Sequence, residues 1–120
     1  MAGGRRVIAR WRRKRGGAHT AEIAVAPRKS GDAWVCDVRV VGDRTRTRHG
    51  VRINGKDLAR LDPTADDPVR LVRASFEFLL ERESNESILR QFNLTEISRY
   101  FPEYEAEIRR RLANGPAGPP

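Results

Sequence analysis

The feature that most constrains the fold is the segment 34–41, in which apolar side chains alternate with others more regularly than anywhere else in the chain. Successive residues of a strand point to opposite faces, so this alternation predicts a strand. Gly42 and Asp43 follow, and glycine accepts the positive φ that a two-residue hairpin turn requires. Residues 44–53 are therefore predicted to return as an antiparallel partner strand. The apolar face of the first strand carries Trp34, Cys36, Val38 and Val40.

A second alternating segment lies upstream, from His19 to Val25. The turn-forming residues 27–32 follow it and are predicted to end this strand. Together the three segments predict a sheet of three antiparallel strands.

The two-residue turn also predicts a register, because it sets Val41 opposite Arg44 and every later pair follows. In this register Arg39 lies opposite Arg46, and Asp37 lies opposite Arg48. The face away from the core then gathers five arginines, namely Arg39, Arg44, Arg46, Arg48 and Arg52.

After Asn54 the pattern of apolar residues becomes helical. Residues 56–61 are predicted to form a single turn, and Asp67 with Pro68 predicts the start of a core helix that ends near Glu83. A short helix over 84–92, a third turn capped by Thr95, and a last helix from Pro102 follow. The predicted fold class is α+β, a three-stranded antiparallel sheet followed by three or four helices packed on one face, that of Trp34.

Charge divides the 120-residue chain unevenly. Residues 1–20 carry a net charge of +7, residues 21–53 carry +3, and residues 54–120 carry −2. We expect a disordered basic arm over 1–17, one domain over 18–113, and a disordered tail over 114–120. Within the arm, Val7, Ile8 and Trp11 lie at helical spacing, so a short amphipathic helix can form on a surface that neutralises the arginines.

The sequence holds no catalytic, cofactor or metal signature. Cys36 is the only cysteine, which excludes an internal disulfide, and with two histidines it cannot complete a four-ligand structural zinc site. The predicted register sets Cys36 opposite His49, yet no third group is positioned to orient them, so we interpret both as buried core residues. We expect no enzyme activity and no cofactor. The lack of a signal peptide or a membrane-spanning run predicts a cytoplasmic protein.

These observations favour a non-catalytic nucleic-acid-associated protein that binds the phosphate backbone of DNA or RNA through the arm and the arginine-bearing face. An exposed strand also carries charge simply because it is solvated. The alternative function is a protein-protein interaction or regulatory adaptor module that uses the helical half. The sequence leaves the oligomeric state open. The predicted nucleic-acid-binding residues are Arg39, Arg44, Arg46, Arg48 and Arg52 in the sheet, and Arg10, Arg12, Arg13, Lys14 and Arg15 in the arm.

One stretch of the helical half resembles a segment found in short uncharacterised proteins of high-GC bacteria. The resemblance is carried by the strings LVRASFEFLLERE at 71–83, ESILR at 86–90 and RYFPEY at 99–104. It extends over residues 69–105, about a third of the chain. It implies a bacterial cytoplasmic origin and no particular function.

Overall fold

The computed structural model describes residues 21–42 and 44–114, and their fold is α+β. The predicted sheet of three antiparallel strands is corrected to a mixed sheet of four strands in the order β1-β2-β3-β4, with β1 to β3 antiparallel and β4 parallel to β3. The predicted arm lies outside the described residues, as does the predicted tail beyond Asn114. The elements are β1 (Glu22–Ser30), β2 (Ala33–Val41), β3 (Arg46–Asn54), α1 (Gly55–Leu61), α2 (Val69–Leu80), β4 (Gln91–Asn93), α3 (Ile97–Tyr100) and α4 (Tyr104–Ala113).

The first hairpin is longer than the sequence predicts. β1 continues through Pro27 to Ser30, and the turn consists of Gly31 and Asp32 alone. Gly31 has a φ of +62°, a conformation that suits glycine in a tight turn. Pro27 is tolerated because β1 is an edge strand, where a missing backbone N–H need not break the ladder. The prediction that residues 27–32 form a turn is therefore wrong.

The second hairpin has a different register from the predicted one. Val41 pairs with Arg46, so the loop contains residues 42–45. The Gly42 N–H donates to the Thr45 carbonyl at 2.8 Å, which closes this wider loop, and the Thr45 hydroxyl is hydrogen-bonded to Asn85. The predicted two-residue turn at Gly42 and Asp43 is wrong. A shift of two residues keeps every side chain on its predicted face, since the side-chain period of a strand is two.

The predicted helix over 84–92 is also wrong. Asn85–Ser87 form one 3₁₀ turn, and the chain then runs extended into β4 beside β3. The Gly50 N–H donates to the Arg90 carbonyl at 2.7 Å, and a ring nitrogen of His49 lies 2.7 Å from the Leu89 carbonyl oxygen. These long-range hydrogen bonds hold the segment extended and replace the local bonds of a helix.

The core lies between the inner face of the sheet and the helices. Cys36, Val38 and Val40 are fully buried on β2, as the alternation predicts. Phe76 and Phe78 of α2 and Tyr104 of α4 are its largest buried side chains. The core helix begins one residue later than predicted, with Pro68 and not Asp67 at the N-cap, although the Asp67 carboxylate accepts a hydrogen bond from the Val69 N–H at 2.9 Å. Within the described ranges, no helix has the length and apolar character needed to cross a bilayer.

Candidate nucleic-acid interface

The outer face of the sheet brings arginines from three strands into neighbouring positions. Arg39 on β2 pairs directly with Arg48 on β3, not with Arg46 as the predicted register has it. Arg46 pairs with Val41, and Arg52 pairs with Val35. Neighbouring strands lie about 4.8 Å apart and alternate residues along a strand about 7 Å apart, so Arg39, Arg46 and Arg48 are close neighbours, while Arg52 lies about 13 Å along the strand from Arg48. All four arginines are exposed.

Arg28 is a member of this face that sequence reasoning missed. It lies on the outer face of β1 opposite Val35, so Arg28, Val35 and Arg52 form one row across three strands. Pro27 made this region look like a turn. The available signal was the pair Gly31 and Asp32, which alone makes a two-residue turn and lets the alternation of 22–30 continue.

Arg44 lies in the loop before β3 and is exposed. The predicted arm residues lie outside the described residues. We call the outer-face set with this loop residue the arginine face, and its members are Arg28, Arg39, Arg44, Arg46, Arg48 and Arg52.

One carboxylate partly neutralises the arginine face. A guanidinium nitrogen of Arg48 donates to the Asp37 carboxylate at 2.9 Å, although Asp37 pairs with Gly50 in the ladder and meets Arg48 diagonally. The hydrogen bond from Arg48 lowers the pKa of Asp37, and the positive charges of Arg48 and Arg39 lower it further. Both side chains of the pair are exposed to solvent, so the pair contributes little to stability.

Several arginines of the helical half are held by carboxylates: Arg70 binds the buried Asp62, and Arg60 binds both Asp57 and Glu105. Other helix arginines, such as Arg73 and Arg109, form no ion pair among the described residues. Within the described ranges no carboxylate forms an ion pair with the remaining members of the arginine face. These are Arg28, Arg39, Arg44, Arg46 and Arg52.

A shallow concavity interrupts the face at Gly50, where a side chain is missing between Arg48 and Arg52. Its volume is about 380 Å³, and its polar lining consists of Arg52, the amide side chains of Gln91 and Asn93, and the carboxylate of Glu96. The Asn93 amide donates to the Glu96 carboxylate, so the concavity has a lining of mixed charge and its only basic side chain is that of Arg52.

The predicted pairing of Cys36 with His49 is wrong. Cys36 pairs with Val51, while His49 pairs with Val38. Burial raises the pKa of the Cys36 thiol to about 11, with a smaller contribution from the negative charge of Asp67. In the part of the chain that the structure describes, no three histidine, cysteine or carboxylate side chains are grouped so that they hold a metal ion.

Cys36 is expected to resist thiol reagents in the folded protein, because it is fully buried and is a thiol and not a thiolate near neutral pH. Alkylation followed by mass spectrometry checks this, with the protein in guanidinium chloride as the reactive control. Equal rates of Cys36 alkylation in the folded and the unfolded protein would contradict the burial of this side chain.

His49 belongs to a directional chain of buried hydrogen bonds. The Thr45 hydroxyl donates to Asn85, whose amide donates to the Thr47 hydroxyl at 3.2 Å. The Thr47 hydroxyl lies 2.9 Å from Nε2 of His49, and Nδ1 lies 2.7 Å from the Leu89 carbonyl oxygen. A carbonyl only accepts, so Nδ1 carries the proton; in the neutral imidazole Nε2 then accepts from the Thr47 hydroxyl, which itself accepts from Asn85. The network therefore fits a neutral imidazole.

Stability is expected to fall in mild acid because of His49. Burial lowers the pKa of this histidine below its ordinary value of 6.5. In mild acid the folded state therefore binds fewer protons than the unfolded state. The contribution of the neutral His49 to the free energy of unfolding is complete above pH 6.5 and is lost as the pH falls below this value. Urea unfolding between about pH 8 and about pH 5 measures this loss. In the variant His49→Gln the free energy of unfolding should depend less on pH. An unchanged pH dependence would contradict the assignment of this loss to His49.

Comparison of the chain with protein-family models, with curated proteins and with solved structures gives no match. The resemblance of residues 69–105 to short bacterial proteins stays a prediction.

Proposed function

We propose that this chain is a non-catalytic nucleic-acid-associated protein that binds the phosphate backbone through the arginine face, assisted by the basic arm. The observation that carries the proposal is the charge of the outer sheet face. Five arginines of the three antiparallel strands lie there against two carboxylates, Glu22 and Asp37, a net charge of +3 among the described strand residues, and Arg44 lies in the adjoining loop.

The chemistry of guanidinium favours phosphate as the partner. Arginine presents donors in a planar fork that bonds two phosphate oxygens at once. Neighbouring like charges destabilise a sheet, and Arg39 with Arg48 is such a pair. A polyanion laid across the face relieves this repulsion, so the same side chains that cost stability in the free protein contribute to binding.

The proposed binding is to the backbone and not to the bases. Recognition of single strands relies on aromatic side chains that stack on bases. Among the outer-face residues that the structure describes, none is aromatic. We therefore propose weak dependence on base sequence, with DNA and RNA both as ligands.

A pair of double variants with equal net charge tests the proposal in the full chain. Arg46→Ala with Arg52→Ala removes two members of the arginine face, while Arg73→Ala with Arg109→Ala removes two exposed arginines of the helices that also lack ion pairs among the described residues. The first variant is expected to weaken binding to a labelled duplex by at least about tenfold, because two phosphate contacts are lost. Fluorescence anisotropy measures the affinity. Equal weakening by the two variants would mean that net charge alone drives binding, and would contradict the proposal.

The helical half supports the alternative proposal, a protein interaction module. Leu89 and Tyr100 are large side chains left 48% and 63% exposed on this half. A partner protein that buries them would leave the arginine face free.

A further inference from the structure

A groove opens in the helical half between the end of α2, β4 and α3. Its volume is about 150 Å³. An apolar cavity of about that volume accommodates an aromatic ring such as benzene. Its apolar lining includes Leu79, Ile88, Leu89, Phe92, Ile97 and Phe101.

The charged side chains of this groove are both acidic. Glu96 is engaged in the cap of the 3₁₀ turn Leu94–Glu96, where it faces Asn93. The Glu83 carboxylate has neither a hydrogen bond nor an ion pair among the described residues, and burial raises its pKa. An apolar groove with a desolvated carboxylate at its wall suits an apolar side chain next to a cation.

The chain itself contains a segment of that chemistry. Residues 7–12 read Val-Ile-Ala-Arg-Trp-Arg, so that Trp11 stands between Arg10 and Arg12. This segment lies outside the described residues. Its charge is opposite to that of the groove.

The arm is long enough to reach the groove. Ala21, where the described chain begins, is ten positions after Trp11, and ten extended residues span up to about 35 Å. The groove lies against β4 at one edge of the sheet and β1 forms the other edge, three interstrand spacings or about 14 Å away. Ala21 adjoins the row that ends at Arg46, whereas β4 pairs with residues 50–52, so the groove also lies about 13–20 Å along the strands, and the direct separation is about 19–24 Å. The arm thus crosses the sheet width with length to spare.

We propose that residues 7–12 dock into this groove of the same chain, with the Trp11 indole against Leu89 and Ile97 and a neighbouring arginine paired with Glu83. Docking neutralises arm arginines that otherwise repel one another, and it covers the exposed Leu89. This inference is independent of the proposed function, although a polyanion would compete with the groove for the arm.

The test follows Trp11 in the full chain. In the variant Trp34→Phe, Trp11 is the only tryptophan. Its emission is expected to be blue-shifted and protected from acrylamide, at a level that does not change on dilution. Adding Leu89→Lys puts a charge in the groove and should return the emission to that of an exposed tryptophan. Val41→Lys is the matched control, since Val41 is similarly exposed at 37% on the opposite face of the sheet, and it should leave the emission unchanged.

Three outcomes would overturn the inference. The first is emission typical of a fully exposed Trp11 before any groove substitution, and the second is an equal effect of the two lysine variants on that emission. The third is protection from acrylamide that fades on dilution, which would mean that the arm binds a second copy. Where Trp34→Phe perturbs folding, ¹⁹F NMR of the unsubstituted chain labelled with 5-fluorotryptophan provides the readout. The Leu89→Lys substitution should then shift the Trp11 resonance and leave that of Trp34 in place.

Discussion

Replacing Phe76 with alanine is expected to lower the free energy of unfolding by about 3–5 kcal/mol, the usual cost of removing a buried phenylalanine. Phe76 is fully buried on α2, and its ring lies 5.3 Å from that of His49 and 6.1 Å from that of Phe92. It therefore joins the helix to both β3 and β4. A domain of this size has a total free energy of unfolding of roughly 5–13 kcal/mol, so the substitution should remove a large part of it.

Urea unfolding followed by circular dichroism measures this loss. Phe76→Leu keeps most of the apolar volume and should cost clearly less. Similar small losses for both variants would contradict the central position of Phe76 in the core.

Replacing Asn85 with alanine is expected to cost about 1–3 kcal/mol, the penalty of leaving buried partners unsatisfied. Asn85 is 6% exposed and connects the hydroxyls of Thr45 and Thr47. Its removal should also loosen the segment that leads into β4. The Gly50 N–H donates to the carbonyl of Arg90, which belongs to that segment. Hydrogen exchange at the Gly50 amide should therefore become faster in the variant.

The exposed Asn114 provides the control for this substitution. Asn114→Ala should leave both the unfolding free energy and the Gly50 exchange nearly unchanged. If Asn85→Ala costs no more than this control, the hydrogen-bond network does not hold β4 in position.

The alternation of residues 34–41 predicts the inner and outer faces of the sheet, and together with the helical spacing after Asn54 it predicts the α+β class. It was not sufficient for the register, because the loop at 42–45 depends on a bond between Thr45 and Asn85, which are 40 residues apart in sequence. The predicted and the observed faces of the strands nevertheless agree, because the two registers differ by two residues and the side-chain period of a strand is also two.

β4 could not be predicted for a similar reason. Residues 84–92 have apolar side chains at spacings that suit a helix, and the bonds that keep them extended come from Gly50 and His49 on β3. The arginine face was predictable in part. Arg39, Arg46, Arg48 and Arg52 lie on the predicted face, while Arg28 falls outside it because Pro27 is typical of the end of a strand.

The arginine face is the feature on which the proposed function depends, and salt reports on it directly. Each phosphate neutralised by the protein releases a counterion, so the logarithm of the binding constant falls with the logarithm of the salt concentration by about 0.9 for each contact on duplex DNA. About five contacts give a slope of about −4 to −5.

The most direct measurement is therefore this slope for the full chain and for the two double variants, determined by fluorescence anisotropy on a duplex of random sequence. We predict a slope of about −4 to −5 for the unsubstituted chain, a slope shallower by about 1.8 for Arg46→Ala with Arg52→Ala, and no change for Arg73→Ala with Arg109→Ala. A flat salt response, or the same slope in all three proteins, would contradict binding through the arginine face.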